Sequence, residues 1–118
     1  MGTRLTIRLD FDGGRRLGAG KVALLEAIDK TGSISAAGRA HKMSYRRAWL
    51  LVDELNKIFA EPVVAAHHGG TKVGGAALTE QGRRIVSLYR DAEAKMRAAA
   101  QGEIDELERN LGAGKVEE

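Results

Sequence analysis

Cysteine is absent from the 118 residues, so the chain can form no disulfide and offer no thiolate to a metal; a reducing cytoplasm is the expected compartment. No apolar run is long enough to span a bilayer, and the first residues carry no signal-peptide pattern. A membrane partner is therefore not expected. Catalytic patterns are missing as well: there is no HExxH, no GxxxxGK[ST] and no nucleophile beside a base. The glycine-rich stretch after His67 lacks the strand-to-helix setting that a dinucleotide loop needs. His67 and His68 are neighbours on an extended segment, where successive side chains point to opposite faces, and His41 lies far from them in sequence. No metal centre, no cofactor and no enzymatic activity are expected.

What remains is a small globular chain, with 43% hydrophobic and 30% charged residues, enough for one domain with a modest core. The net charge is only +3, but its distribution is uneven. Acids gather after Gly102 (Glu103, Asp105, Glu106, Glu108, Glu117, Glu118) and leave a more basic body, compatible with a polyanionic partner.

Residues 32–59 organise the rest. Ser33 can cap a short helix on which Ile34, Ala37 and Ala40 bring small apolar groups to one side. His41, Lys42 and Met43 form a turn, and Ser44 is a second cap. Ala48, Val52, Leu55 and Phe59 then recur at four- and three-residue steps, one apolar stripe of a helix. Tyr45, Arg46, Arg47 and Asp53 fall off that stripe, and the single tryptophan, Trp49, lies beside it as a core residue. This is the pattern of a helix-turn-helix, whose second helix enters the DNA major groove. A helical hairpin with a solvated basic face would share it. Cations in a first turn oppose the helix dipole unless an anion is near, which favours the DNA reading of Arg46 and Arg47.

Around this core, residues 3–11 alternate, with Leu5, Ile7, Leu9 and Phe11 on one face, and read as a half-buried strand. Residues 15–20 read as a loop and residues 21–31 as a helix striped by Val22, Leu24, Leu25 and Ile28, closed by Gly32. Pro62, the only proline, ends the recognition helix. Two short extended segments around the glycine-rich residues 68–75 make a β-hairpin, a wing whose Thr71 and Lys72 can hold phosphate; a loop that touches nothing would look the same. Arg39, Lys42 and, secondarily to its capping, Ser33 are further phosphate candidates. Ser44 joins Tyr45, Arg46 and Arg47 as major-groove candidates.

Thr79 caps a long final helix. Ile85, Tyr89, Ala92 and Met96 step along it as a heptad-like seam, which a second copy of the chain would cover; packing on its own domain is the alternative. The spacing shifts by one residue near Gly102, which marks a place for a kink or a stop. The expected organisation is a DNA-binding domain over residues 3–78, a dimerisation helix over 79–111 and a disordered tail over 112–118. The fold class is α+β, mainly helical.

The motifs TGSIS-AA, MSYRRAW, GGTKVGGAALTEQG and LTEQGRRIVSLYR, in this order, resemble the N-terminal DNA-binding domain of the ModE family of molybdate-responsive transcriptional regulators. They are more distantly similar to the LysR-type winged helix. The resemblance covers roughly residues 3–100. It implies a winged helix-turn-helix homodimer on a palindromic operator of double-stranded DNA, in control of molybdate uptake or molybdoenzyme genes. Longer members carry C-terminal molybdate-binding modules to which nothing here corresponds, so DNA binding is implied but oxyanion sensing is not: either a separate molybdate-binding protein supplies the ligand site, or the chain binds DNA without a ligand or answers another signal. The rival reading is a protein-interaction module with weak, non-specific DNA affinity.

Overall fold

The computed structural model describes residues 2–67, 75–114 and 116. It shows a mainly helical α+β winged-helix fold: β1 (Arg8–Asp10), β2 (Arg16–Gly18), α1 (Ala19–Thr31), α2 (Ile34–Ala40), α3 (Tyr45–Ile58), β3 (Val64–His67), β4 (Gly75–Leu78) and α4 (Glu80–Arg109). β1 and β2 form one antiparallel hairpin, with Leu9 opposite Leu17, around a 3-10 turn at Asp12–Gly14. β3 and β4 form the other, with Val64 opposite Leu78.

The N-terminal strand is shorter than its alternation suggests. Leu5, Ile7 and Leu9 are half-buried and Arg4, Thr6 and Arg8 exposed, so the two faces are as read, but only residues 8–10 find a strand to pair with. Residues before them lie along α4 instead. The Tyr89 hydroxyl donates to the Ile7 carbonyl at 2.7 Å, and Thr3 hydrogen-bonds Glu108 farther down the helix. Ile104, between those two anchors, is buried. Phe11, placed on the inner face by its alternation, is 40% exposed, because the chain turns over at the hairpin tip. The stretch read as a loop, residues 15–20, is β2 followed by the start of α1.

α1 buries Val22, Leu24, Leu25 and Ile28, the stripe its spacing marks, and stops at Gly32, whose φ of 70° is the left-handed conformation glycine adopts without penalty. α2 and α3 close the core with Ile34, Ala37, Ala48, Leu51, Val52, Leu55 and Ile58. Leu51 and Ile58 belong to the buried face though they lie off the four-and-three stripe. Ala40 is exposed, and Gly38 takes its place in the close approach: a Cβ there would stand 2.9 Å from the Cβ of Ala48.

α4 runs unbroken through Gly102, about 45 Å long at 1.5 Å per residue. The helix does not stop at Gly102: no residue of it leaves helical geometry, and Gly102 is exposed, with nothing within 4 Å of where a Cβ would stand. Arg90 ties α4 to α1 by a two-pronged contact with Glu26, at 3.0 and 2.7 Å, and also holds Glu93 at 2.7 Å. The Arg90 hydrogen bonds, opposed by partial burial, hold the Glu26 carboxyl below its ordinary pKa. A lowered folded-state pKa gives stability that is present above the unfolded value and lost as pH falls through the folded one. Glu26→Gln should therefore flatten the loss of stability on acidification below about pH 4.5, by less than about 1 kcal/mol since the pair is over a third exposed. Urea titrations at pH 7 and across the acid range check this; an unchanged acid slope would count against the contact.

Candidate nucleic-acid interface

α3 and the short helix before it are set by their caps. Ser44 Oγ accepts from Arg47 N at 3.1 Å, and Ser33 Oγ does the same for Ala36 N at 3.0 Å, each satisfying one orphan donor of a first turn. Between them the turn folds back on Gly38, whose carbonyl accepts from Met43 N at 2.8 Å and His41 N at 3.1 Å.

Lys42 has φ 57°, the one described residue other than glycine with a positive φ. A lysine in that conformation costs roughly 1–2 kcal/mol that glycine would not. Lys42→Gly is expected to raise stability by about 0.5–1 kcal/mol after glycine's extra unfolded-state entropy is deducted. If Lys42 contacts phosphate, the same change weakens DNA binding and lowers its salt slope by about 1. Thermal melts and binding isotherms at several salt concentrations read both effects; a loss of stability would refute the strain, and an unchanged slope the contact.

α3 is gripped on two flanks. Asn56 Oδ1 accepts from Val63 N and Val64 N at 2.8 and 3.0 Å, while its amide donates to the Val64 carbonyl at 3.2 Å, so one side chain holds the root of the wing. Two residues earlier, and so on the other flank of the helix, Glu54 meets Lys21 at 3.3 Å. Lys21 also donates to the Arg16 carbonyl at 2.8 Å, which brings β2 alongside. From the wing side, Ala76 N bonds the Gly32 carbonyl at 3.0 Å and Gly75 bridges Ser33. The wing root and the helix-turn-helix are thus one hydrogen-bonded unit.

With its core face and flanks committed, α3 turns Arg46, Leu50, Asp53 and Lys57 outward; all four are exposed. Spacings of four, three and four put them in one row opposite Ala48, Val52 and Leu55. Arg47 stands beside this row, and Tyr45, 58% exposed, lies toward Trp49, with ring centroids 6.1 Å apart, edge to face. Trp49 packs half-buried against the core, and its buried indole N–H has no partner among the described residues. Five of the seventeen described cations, Arg8, Arg16, Lys21, Lys57 and Arg90, sit in an ion pair and twelve, spread along the chain, do not. Among the described residues Arg39, Lys42, Arg46 and Arg47 form none, and all four are exposed around the turn and the start of α3.

Of the other candidates, Ser44 is exposed and keeps its hydroxyl proton free to donate, whereas Ser33 is half-buried between its cap and its bridge to Gly75. Thr71 and Lys72 lie outside the described residues. Leu50 and Lys57 were not singled out from the sequence, although counting four and eleven residues on from Arg46 places both in its row.

The chain is 40% identical over 103 residues to the molybdenum transport protein ModE of Azotobacter vinelandii, covering 87% of this chain and 37% of that one. It is 36% identical over 69 residues to the DNA-binding transcriptional dual regulator ModE of Escherichia coli K12, covering 58% of this chain and 26% of that one. It is a homologue of the N-terminal region of the ModE regulators. A molybdenum-pterin-binding protein, MopB of Rhodobacter capsulatus, is 49% identical over 81 residues, covering 69% of this chain and 30% of its own length. The chain thus spans about a third of the length of these relatives. No protein-family model matches it. A further relative, of Haemophilus influenzae, is likewise named as a transcriptional regulator, ModE.

The long-helix candidates divide unevenly. Tyr89 is 2% exposed and committed to its own N-terminal segment through the Ile7 carbonyl; burial pushes its phenol pKa up. Ile85 packs half-buried against the core and Ala92 is half-buried, while Met96 is 43% exposed. Leu88, Leu107 and Leu111 are also exposed on or just past α4, at 47, 70 and 74%. No helix of the chain is long and apolar enough to cross a membrane among the described residues.

Proposed function

We propose that this chain is a sequence-specific DNA-binding transcriptional regulator acting as a homodimer on a palindromic operator, in the molybdenum physiology that its relatives' names carry. The observation that supports this most is the set of four exposed, unpaired cations, Arg39, Lys42, Arg46 and Arg47, gathered at the turn and the start of α3. In this reading Ser44, Tyr45 and Arg46 meet the major groove, while Arg39, Lys42 and, at the edge of the row, Arg47 hold phosphates beside it. Thr71 and Lys72, between β3 and β4, would hold backbone from the wing.

The dimer seam follows from the apolar side chains that α4 leaves in water. Met96 and Leu107, 43 and 70% exposed, are better placed to pair with a second copy than Tyr89, which is already buried. Met96→Glu with Leu107→Glu should convert a dimer to a monomer in analytical ultracentrifugation at micromolar concentration; a variant that still sediments as a dimer would move the seam elsewhere.

The function is tested by selecting duplexes from a random pool with the purified chain. The expected product is an inverted repeat whose half-sites lie one helical turn, or a multiple of it, apart, bound by two chains. A pool that stays random after repeated selection would overturn the proposal and favour the interaction-module reading.

A further inference from the structure

Leu50 is the large aliphatic side chain that α3 gives up to solvent, at 52% exposure, while Leu51, Leu55 and Ile58 of the same helix are buried. It is not among the residues of the core or packed against it. Its surroundings are polar in an ordered way. Arg46 precedes it by one turn in the outward row and is unpaired. The two acids that follow are both neutralised: Asp53 by Lys57 at 2.9 Å and Glu54 by Lys21 at 3.3 Å. The face therefore runs from free positive charge, through one apolar group, to compensated charge, and presents no bare carboxylate to a polyanion.

The C5-methyl of thymine is the apolar group that a base pair presents in the major groove. We infer that Leu50 is a specificity-determining residue that packs on a thymine methyl in the operator. This rests on α3 being the recognition helix, as proposed above. Leu50 lies one helical turn, about 5.4 Å, beyond Arg46, and successive bases are about 3.4 Å apart along a strand. The thymine therefore falls one or two base pairs from the base that Arg46 contacts. Sequestering one methyl group from water against the leucine corresponds to about a fourfold gain in affinity.

The test replaces each thymine of the selected duplex in turn by deoxyuridine, which lacks only that methyl, and measures binding by wild type and by Leu50→Ala. Leu50 is exposed, so its truncation leaves the fold intact; circular dichroism and the melting temperature confirm that before binding is read. Wild type should lose about fourfold at one position in each half-site. Leu50→Ala should bind the parent duplex about fourfold more weakly and show no further loss at that position. If the selected sites hold no thymine within two base pairs of the position that Arg46→Ala relaxes, or if both proteins lose equally at every uridine, Leu50 does not read a methyl. A selection that enriches no sequence would instead remove the recognition-helix reading on which this inference stands.

Discussion

Gly82→Ala is expected to destabilise the protein by more than about 3 kcal/mol, although the same change in the middle of an exposed helix stabilises by about 1 kcal/mol. The reason is the crossing of α4 over the wing root. A Cβ on Gly82 would stand 2.1 Å from the Val63 carbonyl oxygen, 3.0 Å from its carbon and 3.3 Å from its Cα. These are backbone atoms, and they cannot yield cheaply. Val63 is fully buried; its N–H is held by Asn56 at 2.8 Å, and its carbonyl accepts from Thr79 N at 3.0 Å. Thr79 is itself fixed, donating to the Pro62 carbonyl at 2.7 Å and capping Gly82 N at 2.9 Å. Relieving the clash breaks some of these bonds, each worth about 1–3 kcal/mol if a buried group is left unpaired. Gly102→Ala is the control in the same helix, since its Cβ meets nothing within 4 Å; it should gain about 1 kcal/mol. Urea unfolding of both variants at one protein concentration compares them, and a stabilised Gly82→Ala would contradict the packing of α4 on the wing.

The second large effect is on binding. Arg46→Ala and Arg47→Ala should each cost about 1–3 kcal/mol against the selected operator. The two differ in direction: Arg46 is in the outward row with Leu50, whereas Arg47 stands to its side. Arg46→Ala is expected to relax preference at one base position, and Arg47→Ala to weaken all sequences alike and lower the salt slope by about 1. Both chains should keep wild-type stability, because neither arginine forms an ion pair. Anisotropy titrations on the operator and on single-base variants distinguish these outcomes. Losses below about twofold in both variants would count against α3 as the reading element.

The helix-turn-helix was legible because its signals are local. Ser33, Gly32, Ser44 and Thr79 each announce a helix end through a cap that needs only the next few residues. Other features depend on what lies across space. Alternation in residues 3–11 reports which side faces the core, not whether a strand lies alongside; α4 supplies the partner for residues 3–7, and no periodicity in that segment names it. Tyr89 fits a heptad seam by spacing, yet its hydroxyl finds the Ile7 carbonyl 82 residues away. The strain at Lys42 is likewise invisible, since the sequence shows a lysine where the turn geometry suits glycine. Within the recognition helix, the four-and-three count from Ala48 found the core face but not Leu51 and Ile58, which widen it. The same count begun at Arg46 marks Leu50, Asp53 and Lys57 as the outward row.

The central claim is that α3 reads DNA sequence, and one ratio tests it most directly. The dissociation constant of the purified chain for its selected palindrome is compared with that for a duplex of the same composition in scrambled order, at about 150 mM salt. Recognition by base contacts predicts at least about a thousandfold preference for the palindrome. Equal constants for the two duplexes would mean that the free cations hold only the phosphate backbone, and the claim would fail.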